Sequence, residues 1–155
     1  MQFIKNLKVE SVSRLHPTAA WEMSPEQTTA EAVALMREQS VGCVLISSAG
    51  QIVGIFTERD LLRKVLAPGR SLQTPLLEVM TPNPVTVHPK DSIGTAMRRM
   101  IEGGYRHLPV VQDGRPTGIL SVKRIVHYLA EHYPSTVYTA PPAPSFAAQP
   151  QREGA

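Results

Sequence analysis

Gly54-Ile55-Phe56-Thr57-Glu58-Arg59-Asp60 reads as the end of a β-strand, a tight entry, and the first turn of a helix over residues 58–66 carrying Leu61, Leu62, Val65 and Leu66. Thr57 suits the N-cap, because its hydroxyl accepts from the unpaired N–H groups of the first turn. Asp60 aims its carboxylate back at the same helix end. A helix N-terminus with a hydroxyl favours a phosphate, and a carboxylate beside it can accept two hydrogen bonds from a ribose diol. Taken alone, Thr-x-x-Asp before an apolar run is also an ordinary helix cap.

A second copy of the stretch changes its weight. Displaced by 64 residues, the sequence matches itself without a gap: segments 24–60 and 88–124 share seven identities in 37 positions. Pro25 falls on Pro89, Ala32 on Ala96, Met36 on Met100, Glu38 on Glu102, Gly50 on Gly114, Gly54 on Gly118 and Ile55 on Ile119. Thr57 falls on Ser121, one N-cap residue on another. A fixed offset with both glycines and the apolar rhythm in register marks an internal repeat.

Each copy has the order strand, helix, strand, strand, helix. In the second, residues 84–87 are a short strand, and Asp91 or Ser92 caps a helix with the stripe Ile93, Ala96, Met97, Met100, Ile101. Gly103-Gly104 stops it. Residues 108–111 and 117–120 form a hairpin around Asp113-Gly114, and Ser121 caps a last helix through Val126 and Leu129. In the first copy, the counterparts are strand 21–23, helix 29–39 opened by the capping box Thr28-x-x-Glu31, strands 43–47 and 53–56 around Ala49-Gly50, and helix 58–66. One such unit covers a single face of its sheet, so two copies packed sheet to sheet bury a common core. The fold class is α/β of the α+β type, with two β-α-β-β-α repeats about a pseudo-two-fold axis. The expected divisions are a lead-in (1–9), repeat 1 (10–66), a linker (67–75), repeat 2 (76–133) and a Pro-rich tail (134–155). Residues 76–80 read as a helical lead-in to the second repeat, with residues 12–16 as their degenerate partner. The tail has five prolines in 22 residues and reads as flexible or extended; Val137, Tyr138 and Phe146 are its residues able to pack on the domain or on a partner.

Composition narrows the function classes. The net charge is +3 with basic residues scattered, which argues against a nucleic-acid binder that concentrates its charge in a patch. No apolar run approaches the roughly 18 residues of a membrane span, and the N-terminus lacks signal-peptide features. With a single cysteine, Cys43, these features point to a soluble cytoplasmic protein. Cys43 lies in an apolar strand, as a core residue would. His16, His88, His107, His127 and His132 show no metal spacing, and no glycine-rich phosphate loop with its lysine appears. Neither catalysis nor a metal is expected.

In order, spacing and duplication, these motifs resemble a tandem pair of cystathionine-β-synthase-type (CBS) domains, a Bateman module, over roughly residues 10–132. The residues that carry the resemblance are Val79-Met-Thr-Pro82 leading to Pro84-Val-Thr-Val87, Gly104-Tyr-Arg-His-Leu-Pro-Val110, Asp113-Gly114 and Gly54–Asp60. The resemblance implies a non-catalytic regulatory module that binds an adenine nucleotide (AMP, ADP or ATP) between the repeats. It implies phosphate contacts from Thr57, Arg106 and His107, ribose contacts from Asp60, and a base flanked by Val85, Tyr105 and Pro109. It also implies a homodimer, for which the last helix of each repeat offers Leu61, Leu62, Val126, Leu129 and Tyr133. With no enzyme or channel domain visible in the sequence, a regulated effector protein would be a separate chain.

The second copy departs from the pattern. Its Thr-x-x-Asp position is Ser121-Val-Lys-Arg124, and a guanidinium has no lone pair for a diol. Opposite it, Gly42 and Cys43 stand where Arg106 and His107 stand in the other copy. The expectation is one competent site and one degenerate site around Ser121, with Arg124 reaching across to the phosphates held at Asp60. The competing readings are a structural dimerisation module without ligand, and a binder of S-adenosylmethionine, NAD or nucleic acid.

Overall fold

The computed structural model describes residues 2–134, so the tail with Val137, Tyr138 and Phe146 lies outside the described residues. Each repeat is built on a β-hairpin. In repeat 1, β2 (Cys43–Ser48) and β3 (Gln51–Thr57) pair antiparallel; in repeat 2, β5 (His107–Gln112) and β6 (Arg115–Ser121) do the same. Both turns have two residues at positive φ, Ala49-Gly50 at 53° and 78° and Asp113-Gly114 at 53° and 77°. That is the two-residue turn whose twist matches the flanking strands. Both hairpins also carry a register shift at the same place, after Ile46 and after Val110.

On repeat 1, β1 (Glu22–Met23) joins β2 in parallel. Its counterpart, expected as a strand over 84–87, is reduced to a single parallel bridge between Val87 and Val110. Pro84 has no N–H to donate, and among these four residues the backbone bonds are made at Val87, to the carbonyl of Pro109 and from the N–H of Val111. The helices α2 (Thr29–Gln39) and α5 (Ile93–Gly103) cover the hairpins. Thr28 and Glu31 form the expected capping box, and Ser92 rather than Asp91 caps α5. Ile101, expected on the buried stripe, is 77% exposed; Ile93, Ala96 and Met100 form the core face.

The closing helix of repeat 1 begins as expected at α3 (Glu58–Asp60) but widens into a π-helical turn over Leu61–Leu66. Its twin α6 (Val122–His132) is regular. A helix absent from the sequence reading, α1 (Gln2–Val9), lies on α5, where Gly94 allows the Leu7 carbonyl to approach. Leu7, three residues after Ile4, is the amphipathic spacing that signals it.

The lead-in segments are exchanged. α4 (Leu76–Val79), which precedes repeat 2, buries Leu76 and Val79 in the core of repeat 1 with Met36, Val44, Phe56 and Val65. The 3₁₀ turn Val12–Leu15, which precedes repeat 1, buries both its end residues with Ile93, Leu108 and Leu120 of repeat 2. The same three backbone bonds hold each segment: Leu76, Leu77 and Thr29 donate to Gln27, Pro25 and Thr74, and Val12, Ser13 and Ile93 donate to Asp91, Pro89 and Glu10. Each fully buried Leu or Val contributes about 1.5–3 kcal/mol, so the exchange is a large part of each small core.

Beyond each lead-in the chain crosses the first repeat's edge or the second's: β4 (Thr81–Pro82) pairs with β3, and Thr18 bridges Ile119 of β6. This explains why Gly54 and Gly118 recur. A Cβ at Gly54 would collide with the Met80 sulfur, and one at Gly118 would lie 3.0 Å from the Thr18 carbonyl oxygen. Between the two sheets, Cys43, Leu45 and Ile55 meet Ile119 in a central cluster.

Candidate functional site: two clefts with a common wall

Two clefts open between the repeats. The first, of about 410 Å³, is lined by Thr57, Asp60 and Lys64 of repeat 1 and by Val85, Tyr105 and Arg106 of repeat 2. The second, of about 680 Å³, is lined by Ser121, Lys123 and Arg124 of repeat 2 and by Met36, Arg37 and Val41 of repeat 1. Glu58 and His107 line both. Their side chains close over Gly42, where a Cβ would come within 2.7 Å of Glu58 Oε1 and 3.0 Å of His107 Nε2.

In the first cleft, Thr57 and Asp60 form a reciprocal cap. The Asp60 N–H donates to Thr57 Oγ1 at 3.2 Å, and the Thr57 N–H and hydroxyl donate to Asp60 Oδ2 at 3.0 and 3.1 Å. Oδ1 accepts from the Thr81 hydroxyl at 3.0 Å and lies 3.1 Å from Lys64 Nζ. Lys64 also donates to the Met80 carbonyl and to Thr81. Asp60 is 7% exposed, and a buried carboxylate needs such partners. Arg59 donates from α3 to the carbonyl of Gly104 at 3.1 Å, tying the repeats together across the cleft.

The opposite wall comes from the end of α5. Gly104, at φ 68°, ends that helix in the left-handed conformation, and a Cβ on Gly103 would overlap the Tyr105 ring. Two glycines therefore let the ring fold back while Arg106 and His107 follow along the wall. Val85 and Tyr105 remain 37% and 38% exposed, an apolar pair facing a cleft that also holds the cations Arg59, Arg63, Lys64 and Arg106.

Thr57, Asp60, Val85, Tyr105, Arg106 and His107 are thus brought together as the sequence reading expects. Two residues are placed elsewhere. Pro109 is buried within β5, opposite Ile119, with its carbonyl accepting from Val87; as the third residue of that strand it is carried past the cleft mouth. Arg124 does not reach the Asp60 cleft. It lines the other one, and its Nε donates to the Leu15 carbonyl at 3.0 Å, because α6 starts on the far side of the common wall. The sequence reading missed Lys64 and Thr81 around Asp60. Lys64 stands four residues after Asp60, a spacing that pairs charges on a helix.

The electrostatics give little support to chemistry at either cleft. Burial, reinforced by Glu58, pushes the Cys43 thiol up to about 12, far from a reactive thiolate. Burial lowers the His107 pKa below its ordinary value; Glu58 opposes that shift and Arg106 adds to it. Among the described residues, no group of three His, Cys, Asp or Glu side chains is placed to hold a metal ion, and no helix is long and apolar enough to cross a membrane.

Two repeats with exchanged lead-ins and paired clefts between them define a tandem domain pair. The CBS domain family profile matches residues 23–67 and 76–131, and the chain belongs to that family as a CBS domain pair. It is 33% identical over 114 residues to the CBS domain-containing protein YhcV of Bacillus subtilis, covering 74% of this chain and 81% of that protein. Among solved structures, a protein with CBS domains from Burkholderia ambifaria superposes with a TM-score of 0.75 at 29% identity, over 80% of this chain and 96% of that one. The CBS domain pair of protein MJ0100, solved in complex with 5′-methylthioadenosine and S-adenosyl-L-methionine, shares the fold at a TM-score of 0.71 and 23% identity, over 77% and 99% of the two chains.

Proposed function

We propose that this CBS pair is a non-catalytic cytoplasmic sensor that binds an adenine nucleotide, AMP, ADP or ATP, in the Asp60 cleft. The observation that carries this reading is the convergence of unlike groups from opposite repeats on one cleft. Val85 and Tyr105 offer exposed apolar surface for a base, the Thr57–Asp60 cap offers hydroxyl and carboxylate oxygens for a ribose, and Arg106 offers a planar fork of donors for phosphate. The adenosyl ligands of the MJ0100 pair agree with the same ligand class. The cleft around Ser121 and Arg124 is degenerate for a nucleoside, since no carboxylate stands where Asp60 stands. The module acts as a homodimer on an effector protein.

Titration calorimetry and thermal melting with AMP, ADP, ATP, S-adenosylmethionine and NAD test the proposal. A ligand at a hundredfold excess over its Kd should stabilise the fold by about 2.7 kcal/mol, and Tyr105→Ala or Arg106→Ala should weaken that ligand at least about tenfold. No shift with any of the five would leave a structural dimerisation module as the reading.

A further inference from the structure

Asp60 has no oxygen left open. The Thr57 N–H and hydroxyl donate to Oδ2, the Thr81 hydroxyl donates to Oδ1, and Lys64 Nζ lies 3.1 Å from Oδ1. An ionised carboxylate has about four lone-pair sites, so a ribose diol placed here must displace a donor. Lys64, with 40% of its side chain exposed, is the one that can move. Its ammonium also donates to the Met80 carbonyl and the Thr81 hydroxyl, both at 3.2 Å, so it keeps two anchors when it leaves Asp60. It then stands beside the ribose as a cation without its carboxylate. In the other copy, Arg124 and Tyr128 hold the positions of Asp60 and Lys64, so the lysine accompanies the carboxylate. Arg63 lines the same cleft, is exposed, and takes part in none of the ion pairs among the described residues. The lining thus sets the cations Arg59, Arg63, Lys64 and Arg106 against the carboxylates Glu58 and Asp60. With Arg106 on the opposite wall for a 5′-phosphate, the wall of repeat 1 still has cations for a second anion.

We infer that the Asp60 cleft takes an adenine nucleotide that carries a further phosphate on its ribose, at the 2′ or the 3′ oxygen, and that Lys64 reads that phosphate; the inference rests on the nucleotide reading proposed above. A bare diol needs two acceptors, finds the one that Lys64 gives up, and strands the ammonium. A ribose phosphate leaves one hydroxyl, which needs only that acceptor on Oδ1. Its phosphate then takes the displaced ammonium in a charge-assisted pair. A cation beside the ribose accommodates a 2′-phosphate in dinucleotide-binding folds by the same logic.

Calorimetry on the full chain with AMP, ADP, adenosine 2′,5′-bisphosphate and adenosine 3′,5′-bisphosphate tests the inference. One bisphosphate should bind at least about tenfold more tightly than AMP, and the isomer that does so gives the position of the phosphate. ADP carries its extra phosphate on the 5′ chain and should gain less. Lys64→Ala should bring the ratio of bisphosphate to AMP affinity to within about twofold, and Lys64→Arg should keep it. AMP binding with neither bisphosphate tighter, an equal gain by ADP, or an unchanged ratio in Lys64→Ala overturns the inference and leaves the nucleotide reading in place. Absence of binding by all of these nucleotides overturns both.

Discussion

Lys64 Nζ lies 3.1 Å from Oδ1 of Asp60, the oxygen that also accepts from Thr81, while Oδ2 is occupied by the Thr57 cap. Every oxygen that a ribose diol would use is already engaged within the chain. Since 40% of the Lys64 side chain is exposed, the ion pair itself is worth at most about 1 kcal/mol, and it is the partner that can yield. Lys64→Ala is expected to change stability little and to tighten adenosine, which has no phosphate to miss the lost cation. Weaker or equal adenosine affinity by calorimetry would remove Oδ1 as the ribose acceptor.

Gly54→Ala and Gly118→Ala should each destabilise the fold by about 1–3 kcal/mol, because the added carbon overlaps the crossing segment of the other half. Denaturant midpoints measure this. The two effects are expected to be similar, since each added carbon meets a backbone carbonyl, Thr81 at 3.1 Å and Thr18 at 3.0 Å, while the Met80 sulfur facing Gly54 can rotate away. An unchanged midpoint in Gly118→Ala would mean that the Pro17-Thr18 segment is not held against β6.

His107 should make the fold acid-sensitive. Burial lowers its pKa from 6.5, so between the folded and unfolded values the unfolded chain binds more protons, and stability rises with pH. Protonation therefore costs stability as pH falls below about 6.5, and the penalty is complete below the folded-state pKa. Melting temperatures from about pH 5 to 7.5 should show a steeper acid loss in wild type than in His107→Gln. Parallel curves would remove His107 as the source.

The exposed apolar side chains of the closing helices should carry the proposed homodimer. Of the five residues expected there, Leu61, Leu129 and Tyr133 pack on their own cores, whereas Leu62 and Val126, related by the 64-residue offset, are 60% and 58% exposed. Leu62→Glu combined with Val126→Glu should give a monomer by light scattering at concentrations where wild type is dimeric, without lowering the melting temperature of the monomer unit. A dimer that survives both changes would place the interface elsewhere.

The local signals in the sequence were legible because their physics is local. The caps at Thr28, Thr57 and Ser121 and the two glycine turns depend on residues three or four apart, and each formed as read. What escaped depends on partners far along the chain. Apolar spacing shows that Leu76 and Val79 are buried but not in which core, so the exchange of lead-ins was invisible. The strand expected at residues 84–87 has the right residue types, yet pairing requires a neighbour in register, and only Val87 has one. Arg124 was assigned to the wrong cleft for the same reason: the offset gives its equivalent position, not the side of the common wall on which its helix starts.

Gly42 ties these observations together. One copy carries a large polar pair, Arg106 and His107, where the other has glycine and cysteine. The vacated volume did not stay empty; Glu58 and His107 lean into it. The small residue of one repeat thus lets a side chain from each repeat meet at the wall the two clefts share. The asymmetry is built into a wall: the side chain absent at Gly42 is what lets the two clefts share one.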